Sequence, residues 1–309
     1  MALVHARGLT KTYGSVRALD EATFEIGEGI TGLLGSNGAG KTTSLRLFTG
    51  LIDPDNGSVE VLGHDTRRSS EYRTRIGYAP EHDCLPATTS AAELLAYMAQ
   101  ISGLPRAAAR LRASDVLRHV GLFEERYRPM STYSTGMKQR VKLAEALVHD
   151  PVLAFLDEPT AGLDPMGRRD MLELIKRVGR EFGISIVIST HLMGDVERTC
   201  DGVVVLDAGK VLRTGAVAGL TEETEAVLVD VVEGAGELAA VLERRGLAPR
   251  RDGNRLTLER IAGTDFDVLR DAIVETNALL YRLAPERHTL ASVFTPAGVP
   301  AGRREQDAT

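Results

Sequence analysis

Cysteine is scarce in this 309-residue chain: there are two, Cys84 and Cys200, far apart and outside any CxxC pattern. That excludes a disulfide framework and a CxxC-type zinc site, and it fits a reducing cytosol. A strongly basic balance is missing as well. The net charge is −6, so nothing pulls the whole molecule toward nucleic acid. Long hydrophobic runs are absent, since no apolar stretch approaches the roughly 18 residues that a membrane span needs. His5, Arg7 and Lys11 interrupt the N-terminus where a signal peptide requires continuous apolar residues. Work at a membrane would therefore need another chain as anchor. No Asn is followed by Lys, so the NKxD signature of guanine-selective enzymes is also missing.

What remains is an ordinary globular composition, 43% hydrophobic and 26% charged, in a chain long enough for one sizeable core and a second small domain. LVHARGL and FEIGEGITGLLG predict an antiparallel sheet that leads into a buried strand at Ile30–Leu34. A short strand is expected at Ser58–Leu62, among turn residues. From about residue 85 to 149 the periods turn helical and rich in Ala, Leu and Arg, with breaks at Gly103-Leu104-Pro105 and at Pro129. VLAFL (152–156) and ISIVIS (184–189) are continuous apolar runs flanking a helix over Arg168–Phe182. Such runs mark parallel strands covered on both faces, which makes this a βαβ unit. VVVLDAG and KVLRTG add a last pair of strands. The composition shifts at the Glu-rich TEETEAV, and a smaller strand-helix-strand-helix-strand pattern follows. The boundaries expected are therefore 1–218, 219–295 and a flexible, apolar-poor tail at 296–309.

GSNGAGKTT (35–43) fits GxxxxGK followed by Ser or Thr, at the junction of a buried strand and a helix. Backbone N–H groups of Gly35, Ser36, Asn37, Gly38, Ala39 and Gly40 would wrap a phosphate, with Thr43 opening the helix behind them. Lys41 would reach the β- and γ-phosphates and the Thr42 hydroxyl would ligate Mg²⁺. LAFLDEP (153–159) ends the next buried strand with two carboxylates. Asp157 suits the metal, and Glu158 suits a general base toward the attacking water. His191 in STHLMGDVE follows another parallel strand; a histidine there is either structural or a γ-phosphate contact at the same sheet edge. Tyr13, beside a glycine, either packs or stacks on a flat base. YSTGM (133–137) places Ser134 and Gly136 at the start of a basic helix, a second anion-binding geometry in the same chain.

Taken in order, GSNGAGKTT, YSTGM, VLAFLDEP, AGLD and STH resemble the nucleotide-binding domain of ATP-binding cassette proteins, over about residues 1–218. The resemblance implies a P-loop NTPase fold of the α/β class: a parallel-sheet core, an antiparallel β subdomain and a helical subdomain, plus here a small α+β C-terminal domain. It implies ATP and Mg²⁺ as ligands, Tyr13 stacked on adenine, His191 sensing the γ-phosphate and Asp164 at a dimer interface. Two cassettes pair head to tail in that family, so Ser134 and Gly136 would close on the ATP held by a partner's Lys41. With one P-loop and one signature, this chain must pair with a copy of itself, the homodimer expected here, or with a close relative.

Departures accompany the resemblance. Thr135 replaces the second residue of the family's SGG. In RIGYAPEHDCLP the position of the family's glutamine holds Glu81, a candidate contact to Mg²⁺ through water. Ser36 and Ala161 replace a usual proline and serine. The run Glu81, His82, Asp83, Cys84 reads either as a metal cluster or as a solvated loop. KTYGSVRALD, YSTGMKQR and HTLASVF narrow the likeness to the ATPase subunits of ABC-2-type exporters, including drug-resistance and multidrug efflux systems. That implies an ATP-hydrolysing subunit on the cytoplasmic face of the cell membrane. A separate permease would touch it between about Glu81 and Tyr127, without nucleic acid as partner. The alternative, a soluble cassette ATPase acting on nucleic acid or ribosomes, would need a long coiled-coil insertion or two cassettes with basic linkers, and the sequence has neither.

Overall fold

The structure, a computed structural model, describes residues 2–82, 84–220, 223–259 and 263–287. Asp83, HTLASVF and the tail expected from residue 296 lie outside the described residues. The chain divides into two compact units, 1–217 and 218–309. In the first, β1 (Val4–Tyr13) and β2 (Val16–Ile26) form a hairpin, followed by β3 (Ile30–Leu34), α1 (Lys41–Phe48), β4 (Asn56–Val61), β5 (His64–Asp65) and β6 (Ile76–Ala79). Three helices come next, α2 (Ala91–Ile101), α3 (Arg106–His119) and α4 (Thr135–Leu147). The unit then runs through β7 (Leu153–Asp157), α5 (Pro165–Phe182), β8 (Ser185–Thr190), α6 (Met193–Thr199), β9 (Gly202–Asp207) and β10 (Lys210–Ala216). After the short α7 (Val217–Leu220), the second unit is built from β11 (Glu223–Val231), α8 (Ala235–Arg244), β12 (Arg250–Asp252), β13 (Arg255–Leu258), α9 (Thr264–Thr276) and β14 (Leu280–Arg287).

Two sheets make the first unit. A six-stranded sheet has the order β10-β9-β3-β8-β7-β6, parallel except for the β9–β10 pair. Every residue of β3, β7 and β8 is buried. That is why these strands read as unbroken apolar runs, since helices cover both faces of a parallel sheet. The second sheet, β2-β1-β4-β5, is antiparallel. The alternating burial along β2 shows one face turned inward. Their shared core gathers Leu9, Leu19, Leu33, Leu45, Phe48 and Phe155, with the Phe48 and Phe155 rings 5.8 Å apart. Four antiparallel strands, β12-β13-β11-β14, form the sheet of the second unit, whose own core includes Val229, Leu238, Leu242, Leu256 and Leu269.

Several expected boundaries moved. The strand expected at Ser58–Leu62 begins at Asn56 and stops at Val61, because Leu62 takes a positive φ of 51° at the turn into β5. The helix expected from Arg168 starts at Pro165, since Asp164 caps it through an N–H···O bond from Gly167 and proline is well placed in a first turn. β12 was not expected, because Arg250-Arg251-Asp252 is exposed and carries no apolar alternation.

One close approach fixes the helical region to the main sheet. A Cβ on Gly77 of β6 would lie 1.9 Å from the Ala146 carbonyl oxygen near the end of α4. The two backbones therefore touch, and only glycine fits between them.

Candidate nucleotide site

β3, β8 and β7 are adjacent and parallel, with Leu34 opposite Thr190 and Asp157 opposite Ser189. The residues that follow these strands, Gly35, His191 and Glu158, therefore leave the sheet along one carboxyl edge. In open α/β sheets this is where ligands bind. The loop from Gly35 to Gly40 turns there into α1. Gly40 has φ +104°, and a Cβ on it would lie 2.5 Å from the Ala18 carbonyl oxygen, so no other residue fits.

Lys41 is 6% exposed, and its Nζ donates to the carbonyl oxygens of Gly35 (2.8 Å) and Ser36 (3.2 Å). The same ammonium stands 3.3 Å from Glu158 Oε1, and on the other side His191 Nδ1 is 3.1 Å from Glu158 Oε2. Lysine, glutamate and histidine from three separate chain segments thus form one line, with the glutamate buried and the histidine 46% exposed at its side chain. Glu158 takes φ +45°, a left-handed backbone that costs a non-glycine residue about 1 to 3 kcal/mol unless its surroundings hold it. What holds it is a 2.8 Å bond from its N–H to Ser189 Oγ.

Ser189 is fully buried and does a second job. Its hydroxyl donates to Asp157 Oδ1 at 2.5 Å, and Thr42 Oγ1 donates to that same oxygen at 3.2 Å. Oδ2 of Asp157 is buried with no hydrogen-bond partner. A buried carboxylate oxygen without a donor is costly in a protein interior and suited to a cation. Beside the Thr42 hydroxyl, it fits a hard divalent ion with oxygen ligands. Ser189 was legible as part of STH but given no role. Its bonds depend on strand register across 31 and 32 residues, which no local motif reveals.

The signature segment is built separately. Ser134 caps α4, its Oγ accepting from Met137 N–H at 3.3 Å, and both Ser134 and Thr135 are exposed. Tyr133 is buried and donates from its hydroxyl to the Glu125 carbonyl at 2.7 Å, and burial pushes its phenol up. Gln139 donates to the Ala161 carbonyl at 3.2 Å, and Cβ atoms on Gly162 and Gly136 would meet Thr135 and Leu163 at 3.3 and 3.7 Å. α4 and the loop before α5 thus lie against each other. Among the described residues, no hydrogen bond joins Ser134 or Gly136 to residues 35–43. Asp164 is exposed at the start of α5.

Tyr13 ends β1 at the hairpin, 45% exposed, with Lys11 Nζ 5.9 Å from its ring centre. Glu81 is exposed, and what the structure engages is its backbone: Lys142 Nζ donates to the carbonyl oxygens of Glu81 (2.7 Å) and Pro80 (2.8 Å). Lys142 is 4% exposed and was missed by sequence reasoning. The available signal was a lysine inside Val141–Leu147, a stretch apolar on nearly every side, where an ammonium must find oxygen partners. Among the described residues no group of three or more His, Cys, Asp and Glu is able to hold a metal ion, and Asp83 of the run Glu81–Cys84 lies outside them.

A family model described as ABC transporter matches residues 19–161. The bacitracin transport ATP-binding protein BcrA of Bacillus licheniformis is 39% identical over 212 residues, 68% of each chain. The daunorubicin resistance ATP-binding protein DrrA3 of Streptomyces coeruleorubidus is 36% identical over 300 residues, 93% of each. This chain belongs to the ABC transporter ATP-binding family. The ABC match to DrrA3 runs through the second unit as well as the first. Among solved structures, a bacterial ABC transporter cassette determined as a dimer superposes with a TM-score of 0.64 at 25% identity, covering 69% of this chain and 98% of that one. The same cassette is known in a post-hydrolysis dimer with ADP and phosphate. The fold expected from the sequence, a parallel-sheet α/β core with an antiparallel subdomain, is the ABC fold. α2 and α3 are 11 and 14 residues long, far short of coiled-coil arms, and no helix among the described residues is long and apolar enough to cross a membrane.

Proposed function

We propose that the chain is the ATP-binding and hydrolysing subunit of an ABC-2-type exporter, working as a homodimer on the cytoplasmic face of the cell membrane with a separate permease. The observation that carries this reading is the line Lys41–Glu158–His191 beside the unsatisfied Asp157 Oδ2. In this reading Lys41 leaves the Gly35 and Ser36 carbonyls for the β- and γ-phosphates. Thr42 and Asp157 hold Mg²⁺, which would neutralise charge between those phosphates when bound. Glu158 takes a proton from the attacking water, and His191, one hydrogen bond away, fixes the carboxylate and faces the γ-phosphate. Tyr13, exposed at its hairpin, supplies a stacking surface for adenine.

Ser134 supports the dimer half of the reading, since a capped helix N-terminus facing solvent is an anion site awaiting a ligand from elsewhere. A partner copy's triphosphate is that ligand. Export is favoured because a relative that matches along 93% of the chain is named for daunorubicin resistance. The test is recovery from native membranes with the full chain as bait, then efflux and MgATP turnover by the recovered complex. An associated permease and ATP-dependent efflux are expected. Turnover without any membrane partner, stimulated instead by nucleic acid or ribosomes, would overturn the reading.

A further inference from the structure

Tyr13 stands at the end of β1, where the sheet holds the strand least. The last pair between β1 and β4 is Thr10 with Asn56. On the other side, the pairing with β2 shifts register between Leu9 and Lys11 and again between Lys11 and Thr12. Such irregularities interrupt a ladder and bend the strand that carries them. Lys11, Thr12 and Tyr13 thus run on past β4, beside an irregular ladder. An aromatic ring binds a base best when its direction is set beforehand, because ordering it on binding costs affinity.

Asp55, the residue before β4, supplies the missing hold. Its N–H donates to the Thr10 carbonyl at 2.9 Å. Its Oδ2 accepts from the Thr12 N–H at 2.7 Å, and its Oδ1 accepts from Lys11 Nζ at 2.8 Å. The Lys11 bond first, then the Thr12 bond, keeps the Asp55 carboxyl below the usual carboxylate range. Lys11 in turn lies over the Tyr13 ring, its Nζ 5.9 Å from the centre and within cation–π range. The side chains of Lys11 and Asp55 are 17% and 40% exposed, and an ion pair this near the surface adds little to stability. What the bonds of Asp55 share is their target, the three residues that precede Tyr13. Asp55 is itself tied to the phosphate-binding helix. The segment that leads to it from α1 is fastened by the N–H groups of Leu51 and Ile52, which both donate to the Arg46 carbonyl, at 2.9 and 3.4 Å.

We propose that Asp55 is a positioning residue for the nucleobase: by holding Thr10, Lys11 and Thr12 it aims the Tyr13 ring, and it raises affinity only for ligands that carry a base. This rests on the reading that Tyr13 stacks on adenine, and it names what directs the ring.

The chain has no tryptophan, so Tyr13→Trp places a single indole at the site. The experiment compares the full chain carrying Tyr13→Trp with the same chain carrying Asp55→Ala or Lys11→Met as well, with melting temperature reporting that each is folded. Two ligands are titrated with Mg²⁺: AMP-PNP, a slowly hydrolysed ATP analogue, and tripolyphosphate, which lacks base and sugar. The analogue should quench the indole. Asp55→Ala should weaken analogue binding about tenfold and reduce the quench at saturation, while affinity for tripolyphosphate stays within about twofold. Lys11→Met, which leaves the Thr12 bond in place, should lose part of that effect. Calorimetry on chains with the native tyrosine supplies a cycle. Tyr13→Ala and Asp55→Ala should each weaken analogue binding about tenfold, and the double variant should bind no more weakly than Tyr13→Ala alone, since both remove one interaction. Analogue binding unchanged in Asp55→Ala, equal losses for the two ligands, or losses that add in the double variant would overturn the assignment and leave Tyr13 as the stacking residue. If Tyr13→Ala itself binds the analogue as the wild type does, the stacking reading and the role of Asp55 fall together.

Discussion

At the scale of residues, Glu158 is the group on which turnover depends in the proposed function. Its carboxylate sits between Lys41 and His191, and its backbone is held at φ +45° by Ser189. Glu158→Gln keeps the size and the hydrogen-bonding reach toward His191 but cannot take a proton. Steady-state MgATP hydrolysis is expected to fall by about 10² to 10⁴-fold, the range for loss of a general base. ATP then stays bound, and the variant should elute as a dimer in excess MgATP. A monomer there, or turnover close to wild type, would refute the role. The P-loop and the DEP carboxylates were legible because their chemistry lies within a few consecutive residues. Ser189 was not, since its link to Asp157 and Glu158 exists only once β7 and β8 are in register.

At the scale of elements, α4 joins two segments, Ser134 at its N-terminus and the Pro80–Glu81 carbonyls through Lys142. Lys142→Met keeps the apolar stem and removes two charged hydrogen bonds, a loss of about 2 to 4 kcal/mol. For a unit of this size the melting temperature should drop by about 4 to 16 °C. Cleavage by added protease in the segment after Pro80 should quicken. An unchanged melting curve would show that the carbonyls find water instead. α2 offers a pH test. Its capping box joins Ser90 and Glu93, and the Ser90 hydroxyl, followed by its backbone N–H, holds the Glu93 carboxyl below the ordinary 4.5. A carboxyl lowered in the folded state stabilises above its unfolded pKa, and that contribution is lost as pH falls through the folded value. The wild-type chain should lose melting temperature below about pH 4.5 more steeply than Ser90→Ala, measured from pH 6 to 3. Parallel slopes would remove the capping box as a source of acid sensitivity. The helical elements themselves were readable from their period. The start of α5 was not, because Asp164 sets it through a side-chain bond to backbone that periodicity does not register, whereas YSTGM already marked Ser134 at the start of α4.

At the scale of the whole molecule, the proposed homodimer makes the P-loop with its carboxylates and the exposed Ser134 cap two halves of different sites. Ser134→Arg puts bulk and a guanidinium where a partner's triphosphate would sit. In a mixed dimer, one subunit carrying Ser134→Arg and the other Lys41→Ala, each mutation falls in the same shared site, and the second site stays whole. Such dimers should retain about half the turnover, while dimers with both mutations in one subunit lose both sites. Equal activity in the two arrangements would contradict shared sites, and ATPase assays on tagged, purified heterodimers measure it. The order of motifs made the cassette fold legible from sequence, and the two-half architecture follows from it as a proposal. The hold of Asp55 on Lys11 and Thr12 was not legible, because it spans 44 and 43 residues and exists only once β1 and β4 are paired.

The backbone contact at Gly77 has a mechanical consequence. With no side chain between β6 and the end of α4, there is nothing compressible to absorb a small displacement. A push delivered to the helices from outside therefore reaches the strand leading to Glu81 and the rod that carries Ser134 in the same stroke. The carboxyl edge of the sheet and the Ser134 tip of α4 should shift in step, as two arms of one rocker.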